Sequence, residues 1–281
     1  MSEHPPLRKK ISLLFLCLML WVLSSCTSHL KNAKLHYVRA QEFSRDYQEE
    51  LAIGAYKKAL DEARKGVKKN PSAQSFMLKG MAELYLNLWE DAGQSFLHAF
   101  AHGFEKGQEW AEWVSLCGVS SVMHQFGLAR SAFQIYAQIV EKSRLRPVSI
   151  FASQKYTEMA LQSALRAEGK QKERLLSGLL RDVEKLTNRD LSCGFFHYLQ
   201  AQVLSHIGDY RRSFEESVMA RELGLPTQEI FRDNDLQIVF CYRQMKQGLP
   251  PEDWEEFHLL YLRWTDKWNW TDPETPDWKK R

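Results

Sequence analysis

Apolar residues recur along most of this chain at spacings of three and four, as on one face of an α-helix. No stretch alternates apolar and polar residues with hairpin turns, as half-buried strands would. A short turn pattern interrupts the helical stretches: a Gly or Asn, usually an aromatic residue two positions on, and a small residue three later. Gly or Asn can adopt the left-handed conformation that ends a helix, and the small residue lets the next helix pack closely. The pattern therefore predicts pairs of helices with turns at Gly54, Asn87, Gly127 and Gly208.

Two weaker copies extend the array. Gly169 separates helical stretches at 150–167 and 172–186, but Arg174 occupies the small-residue position, which predicts looser or rearranged packing. Gly248 separates the stretches 233–247 and 251–268. The sequence thus predicts an all-α fold of about six helical hairpins over residues 40–268, with turns at 54, 87, 127, 169, 208 and 248. The first interval is 33 residues long and the others are 39 to 42, so the later hairpins need longer helices or loops.

The repeated hairpin resembles the tetratricopeptide repeat (TPR) family, whose unit is 34 residues of helix, turn and helix. Gly80 matches the glycine of that family's first helix, and Pro71 matches its closing proline. The match is clear for residues 40–145, fair for 194–226 and weak elsewhere. The resemblance implies a TPR-like helical-hairpin solenoid that binds a protein or peptide.

The same resemblance implies a binding groove, lined in TPR proteins by one face of each hairpin's first helix. Tyr and Met suit adaptable apolar recognition of a peptide or helix. Each of these side chains could equally pack between hairpins, and the sequence leaves both interpretations open. The matching positions here are Met77, Met81, Tyr85, Tyr156, Tyr198 and Tyr242.

Aromatic residues are concentrated at the C-terminal end, where five of the nine tryptophans fall in the last 28 residues. A spacing of three and four places a set of them on one helix face. This face either caps the last hairpin or docks a partner. Residues 269–281 are predicted to form an extended tail that contains Trp and Lys. The aromatic face consists of Trp254, Phe257, Tyr261, Trp264 and Trp268.

The N-terminal segment has the layout of an export signal. Three cations at positions 8–10 precede a thirteen-residue apolar run, 11–23. At about 1.5 Å per residue this run spans roughly 20 Å, short of the roughly 30 Å hydrocarbon core of a bilayer. The run ends in Leu23-Ser24-Ser25-Cys26, which resembles the bacterial lipobox. Two alternatives to a lipoprotein signal remain open: an uncleaved N-terminal anchor, or an ordinary signal peptide that is cleaved elsewhere.

The lipobox resemblance implies a signal peptide over residues 1–25, acylation of Cys26 with palmitate-type chains, and a lipidated tether over residues 26–39. Thr27 rather than Asp follows the cysteine, which by similarity to Gram-negative lipoproteins implies the periplasmic face of the outer membrane. The combined prediction is a membrane-anchored, non-enzymatic adaptor or assembly factor of the bacterial envelope, with a protein or peptide partner. The alternative is an envelope glycan-binding module or enzyme whose Trp-rich end stacks on sugar rings.

The balance of charged residues limits the classes of partner that are expected. Without residues 1–25 the chain keeps 35 basic and 34 acidic residues, a balance that gives no sustained field to attract nucleic acid or an anionic bilayer. The only partners expected are therefore proteins, and the membrane through the lipid. Three sparse cysteines outside the signal do not form a disulfide framework and are predicted to be buried thiols: Cys117, Cys193 and Cys241.

Signals for chemistry are weak. His98 and His102, four residues apart, could form half of a zinc site, but no third ligand is evident. The segment 233–235 resembles the start of a calcium loop without its glycine and glutamate, so helix capping is the preferred interpretation. No nucleophile motif, phosphate loop or dinucleotide fingerprint occurs, and neither a metal nor a cofactor is predicted.

Overall fold

The computed structural model describes residues 28–248 and 250–270, and these ranges contain twelve α-helices and no strand. The predicted all-α fold is confirmed. The chain divides into two compact units, Met1–Met159 (unit 1) and Ala160–Arg281 (unit 2), with the boundary inside the seventh helix. The helices are α1 (Ser28–Arg45), α2 (Glu49–Lys69), α3 (Ala73–Tyr85), α4 (Trp89–His102), α5 (Glu109–Gln125), α6 (Ala129–Lys142), α7 (Arg146–Arg166), α8 (Gly169–Arg189), α9 (Gly194–Ile207), α10 (Tyr210–Leu223), α11 (Gln228–Gly248) and α12 (Pro251–Lys267).

Unit 1 is built from TPR-like helical hairpins. Helix α1 packs on α2, α3 on α4 and α5 on α6, while contacts of α2 with α3 and of α4 with α5 join successive hairpins. The first helices also contact one another, α1 with α3 and α3 with α5. Connections of three to six residues make packed neighbours antiparallel. All turns within hairpins therefore lie on one side of unit 1, the turn edge, and the connections between hairpins lie on the opposite side, the connection edge.

The turns within hairpins share one backbone geometry. The residues with positive φ are Tyr47 (59°), Asn87 (59°), Gly127 (79°) and Gly208 (92°). In each turn the next N–H donates to a carbonyl five residues upstream over 2.8–3.0 Å, as Leu88 N does to Glu83 O. This is the Schellman arrangement, which pairs carbonyl groups left open at the helix end. The predicted turns at 87, 127 and 208 are confirmed.

The predicted turn at Gly54 is wrong, because Gly54 lies inside α2. The first turn is at Tyr47, where a tyrosine holds the left-handed conformation that glycine or asparagine holds in the other copies. From Tyr47 to Asn87 is 40 residues, as it is from Asn87 to Gly127, so the first repeat is not shorter than the others. The extra length over a 34-residue unit lies in the 21-residue α2 and in the connection 103–108. The interval from 87 to 127 predicted the longer connection, whereas the longer α2 was not predicted.

With the first turn placed at Tyr47, residues at the same position of successive repeats are buried in the same way. Five positions after each turn residue stands a small, buried residue: Ala52, Ala92, Ala132 or Ser213. Four positions later, unit 1 has a buried aromatic ring, which occupies the interior beside the preceding helix. These rings belong to Tyr56, Phe96 and Tyr136.

Phe96 shows how closely the helices of unit 1 approach. Its ring lies between two glycines of the neighbouring first helices, Gly80 in α3 and Gly118 in α5. A Cβ atom at Gly80 would lie 3.0 Å from Phe96 Cε1, and one at Gly118 would lie 2.2 Å from Phe96 Cζ. Glycine at both positions is therefore what allows a whole ring to fit between α3 and α5.

Unit 2 contains the pairs α9–α10 and α11–α12, joined by packing of α10 on α11, and α8 packs on α9. The start of α9 nearly touches the end of α10, since a Cβ atom at Gly194 would lie 2.3 Å from Gly224 O. In α8, Arg174 is exposed, unlike the buried small residues at the equivalent position of α2, α4, α6 and α10, and the buried stripe follows it along the helix. That stripe consists of Leu176, Leu179, Val183 and Leu186.

The structure also corrects the start of the repeat array. Helix α1 begins at Ser28 and buries residues such as Leu30 and Tyr37, so residues 28–39 belong to the first hairpin rather than to a tether. The signal segment 1–25, Cys26 and the tail segment 271–281 lie outside the described residues. In the part of the chain that is described, no helix combines the length and the apolar character needed to cross a membrane.

Candidate protein-interaction surfaces

Three tyrosines form a closed cluster between the first two hairpins. The rings of Tyr56 and Tyr85 stack at 4.6 Å, and Tyr37 meets both edge-on at 5.6 and 5.7 Å. The side-chain amide of Gln41 donates to Tyr56 Oη and to Tyr37 Oη. Burial raises the pKa of all three phenols above the ordinary value, so their hydroxyls stay protonated at neutral pH.

The groove predicted on α3 is therefore filled. Tyr85 is held in this cluster, and Met77 and Met81 are buried. Met81 and Tyr85 line an enclosed apolar pocket together with Cys117 and Phe151. The expectation that these three α3 side chains line an open groove is wrong, because α1 and α5 both contact α3 and cover that face.

The remaining predicted groove residues also pack against their own unit. Tyr198 is buried, and its hydroxyl accepts a hydrogen bond of 2.7 Å from Gln202 Nε2. Tyr156 is half-buried and stacks on Phe133 at 4.8 Å. Tyr242 is half-buried between α11 and α12, where burial raises the pKa of its phenol to about 12. These side chains therefore pack within the protein instead of lining a groove, which is the alternative that the sequence left open.

The aromatic face of α12 forms the core of the last hairpin. Tyr261 and Trp264 are buried, while Trp254 and Trp268 are half-buried. The Tyr261 ring stacks on Tyr242 at 3.7 Å, and Trp254 lies 4.9 Å from Tyr242. The face packs on α11 and on Phe214 of α10, so it covers the end of unit 2 rather than standing open to a partner.

The polar segment 233–235 lies inside α11, so the predicted capping role is wrong. The start of this helix is capped instead by Thr227, whose Oγ1 accepts a hydrogen bond of 3.1 Å from Ile230 N. Asp235 is buried with its Oδ1 3.0 Å from Arg221 Nε. Burial raises the pKa of Asp235 to about 6, against the opposing effect of Arg221. The Arg221 guanidinium in turn lies 4.3 Å from the Trp268 ring centre, which ties α10 and α11 to the end of α12.

A second buried ionisable group joins α9 to α10. His197 Nδ1 lies 2.6 Å from Glu216 Oε2, and His197 Nε2 lies 3.1 Å from the Leu191 carbonyl oxygen. Burial lowers the pKa of His197, but the hydrogen bonds to Glu216 and Leu191 outweigh it and the net shift is upward. Since both ring nitrogens face acceptors, the arrangement suits the doubly protonated ring and serves packing within unit 2.

Candidate metal ligands and thiols do not assemble into a site in the described ranges. His98 and His102 are exposed and lie beside the Phe76 ring at 5.1 and 4.7 Å, and no group of three or more His, Cys, Asp or Glu side chains there could hold a metal ion. The predicted burial of the three thiols is confirmed for Cys117, Cys193 and Cys241.

The turn edge of unit 1 carries the most regular exposed apolar surface. Large apolar side chains at or beside each of its three turns are between 38% and 62% exposed. Leu88 and Leu128 occupy the same position, directly after the left-handed residue, and in unit 2 Ile207 precedes Gly208 as Phe126 precedes Gly127. Single exposed apolar residues are ordinary, but recurrence at one edge of successive hairpins is not. We call this set the apolar row: Tyr47, Leu51, Leu88, Phe126 and Leu128.

Sequence reasoning missed the apolar row although Leu88 and Leu128 stand inside the repeated turn pattern. The signal was available: a leucine follows the turn residue twice, 40 residues apart, at positions where a solvent-facing turn would ordinarily be polar. The TPR resemblance directed attention to the first helices instead. The first helices of unit 1 are covered by neighbouring helices, whereas the side chains of the apolar row at the turns are exposed.

Comparison with known proteins adds little. No protein-family model matches the sequence, and no curated protein matches it. Among solved structures, YrrB, described as a TPR protein with an unusual peptide-binding site, is 14% identical, with 74% of this chain and 93% of that chain covered and a TM-score of 0.39. The chain itself has a TPR-like arrangement, shown by its paired helices, repeated turns and buried small residues.

Proposed function

We propose that this protein is a non-enzymatic, lipid-anchored adaptor of the bacterial envelope, and that the apolar row binds an apolar segment of a partner protein. The observation that carries the adaptor role is the recurrence of exposed Leu, Phe and Tyr side chains at successive turns of unit 1. A row of this kind suits a helix or extended peptide that presents apolar side chains at regular spacing. The lipid anchor is supported by the export-signal layout that ends in Cys26.

The glycan-binding alternative gains no support from the described residues. Stacking on a sugar requires an open aromatic face, whereas Trp264 and Tyr261 are buried and Trp268 is covered by Arg221. Packing within unit 2 is sufficient to explain the aromatic residues on this face of α12. We therefore retain the adaptor role as the function proposed.

The lipid anchor predicts a change of location when Cys26 is replaced by alanine. The wild-type protein should fractionate with membranes and carry acyl chains on an N-terminal Cys26, because two or more chains anchor a protein stably. The Cys26→Ala chain should lack acyl mass and lose lipoprotein processing before residue 26. Membrane fractionation measures the change of location, and intact-mass spectrometry of the purified protein measures the acyl mass. A wild-type N-terminus without acyl mass would refute the anchor and leave the adaptor role to be judged separately.

The apolar row predicts position-specific crosslinking in cells. A photo-crosslinking residue at Leu88 or Leu128 should give the same discrete adduct, while the exposed α6 position Gln138 should not. The double change Phe126→Ser and Leu128→Ser should remove the Leu88 adduct, since it deletes apolar contact area, with little effect on melting temperature because both side chains are exposed. Mass spectrometry identifies the adduct. Equal crosslinking at Gln138, or an unchanged Leu88 adduct in the double variant, would refute the assignment.

A further inference from the structure

The distance between the lipid site and the folded chain is short. Helix α1 begins at Ser28, two residues after Cys26, and two residues span at most about 7 Å. The inference drawn from this rests on the proposed lipid anchor. Because the first turn within a hairpin follows α1, the start of α1 lies on the connection edge of unit 1. An acylated Cys26 therefore holds that edge, rather than the turn edge, beside the bilayer.

The connection edge is rich in exposed cations. Lys68 and Lys69 end α2, and Lys142 ends α6. The loops on this edge add exposed cations of their own, and α1 contributes one in its first turn. Three exposed carboxylates also lie here, those of Glu105, Glu109 and Glu112, and they offset part of the positive charge. Glu141 stands beside Lys142. The further exposed cations are Lys31, Lys106, Arg144 and Arg146.

The turn edge carries more acidic than basic residues. The first turns of α2 and α4, which lie there, carry Glu49, Glu50, Glu90 and Asp91. The exposed cations there include Arg45, which pairs with Asp46 over 3.3 Å, and Arg130 in the first turn of α6. Helix dipoles do not produce this difference, since each edge collects the starts of one set of helices and the ends of the other. The difference arises because exposed cations outnumber exposed carboxylates at the connection edge, and the reverse holds at the turn edge. Unit 1 is therefore polarised between its two edges, although the whole chain is nearly neutral.

We propose that the connection edge of unit 1 lies against the anionic headgroups of the membrane that holds the lipid, and that the turn edge faces away from it. Close to an anionic surface each Lys or Arg strengthens association by about fivefold, and the effect fades beyond a Debye length of about 8 Å. The short link from Cys26 brings the start of α1 within that range, and the proposed orientation brings the other cations of the connection edge to the same surface. The same orientation presents the apolar row to the aqueous side, where a protein partner has access.

The test uses the purified acylated protein in vesicles of phosphatidylcholine, with or without phosphatidylglycerol, that contain a headgroup-linked quencher. A fluorophore is attached to cysteine introduced by Asn70→Cys on the connection edge, or by Glu90→Cys on the turn edge; both positions are exposed, whereas the native cysteines outside the lipid site are buried. In vesicles with phosphatidylglycerol the probe at position 70 should be quenched several-fold more than the probe at position 90. High salt should reduce this difference.

Two matched variants of α2 test the role of charge. Lys68→Glu with Lys69→Glu reverses two exposed cations on the connection edge, and Lys57→Glu with Lys58→Glu reverses two exposed cations in mid-helix. The first should abolish the dependence on phosphatidylglycerol, and the second should preserve it. Equal quenching at positions 70 and 90 in acylated protein would overturn the proposal, as would an unchanged lipid dependence in the Lys68 and Lys69 variant. Absence of acyl mass would instead overturn the proposed anchor, so the two failures are distinguishable.

Discussion

Replacing Ala92 with glutamate is expected to unfold unit 1 or to lower its free energy of unfolding by about 4 kcal/mol or more. Ala92 is fully buried where α4 begins to pack on α3. A glutamate there would leave a carboxylate inside the protein without room to reach solvent. The measurement is urea and thermal denaturation followed by circular dichroism.

The matched control for this change is Gln94→Glu, which introduces the same side chain two residues later on the exposed side of α4. Surface substitutions of this kind ordinarily change stability by no more than about 0.5 kcal/mol. If Ala92→Glu costs less than about 1 kcal/mol, then the small-residue position does not lie at a close helix contact. That result would remove the main support for the repeat register, in which Ala52 and Ala132 are equivalent to Ala92.

Adding one methyl group at Gly118 is expected to destabilise unit 1 by about 2–3 kcal/mol. The new Cβ atom of Gly118→Ala would lie 2.2 Å from Phe96 Cζ, and the Phe96 ring is also bounded by Gly80 at 3.0 Å. The ring is bounded by α3 on one side and α5 on the other, so relieving the clash requires the ring to leave its present position or α3 and α5 to separate. Chemical denaturation gives the loss, and an m-value unchanged from wild type would show that the unfolding transition is the same.

Two further variants isolate the cause of that loss. In a Phe96→Leu background the same Gly118→Ala change should cost much less, because the colliding ring is absent. Gly54→Ala in α2 meets nothing within 4 Å and should stabilise by about 0.5–1 kcal/mol, as alanine does in a helix interior. An additive double mutant would show that Phe96 is not the obstacle. A destabilising Gly54→Ala would place that residue in a turn, as the sequence pattern alone suggested.

The hairpin organisation could be predicted because its causes are local. Asn87, Gly127 and Gly208 mark turns through the conformations that these residue types adopt most easily, and helical spacing of apolar residues marks what lies between them. The first turn was misplaced for the same reason. Tyr47 adopts a positive φ against its residue type, while Gly54 has the expected type but lies in a helix. Only packing of α1 on α2 makes the turn at Tyr47 necessary.

The interaction surface could not be predicted in the same way. A helix of alternating Met, Tyr and small residues, such as α3, has the same pattern whether its face lines a groove or is covered by a neighbour. The difference depends on how closely α1, α3 and α5 approach one another, which involves Gly80, Phe96 and Gly118 in three separate helices. Their mutual position covered Met77, Met81 and Tyr85 and left the turns as the apolar surface.

The sequence by itself determined that the chain forms helical pairs, where most of those pairs turn, and that three cysteines are buried. These properties follow from backbone preferences and from one-dimensional spacing, which act within a few residues. Tertiary structure alone decided which apolar side chains reach solvent, which edge of unit 1 is cationic, and that residues 28–39 pack as part of the first hairpin. Those properties arise only when helices distant in the chain pack side by side, because burial and surface charge belong to the assembled hairpins and not to any single helix.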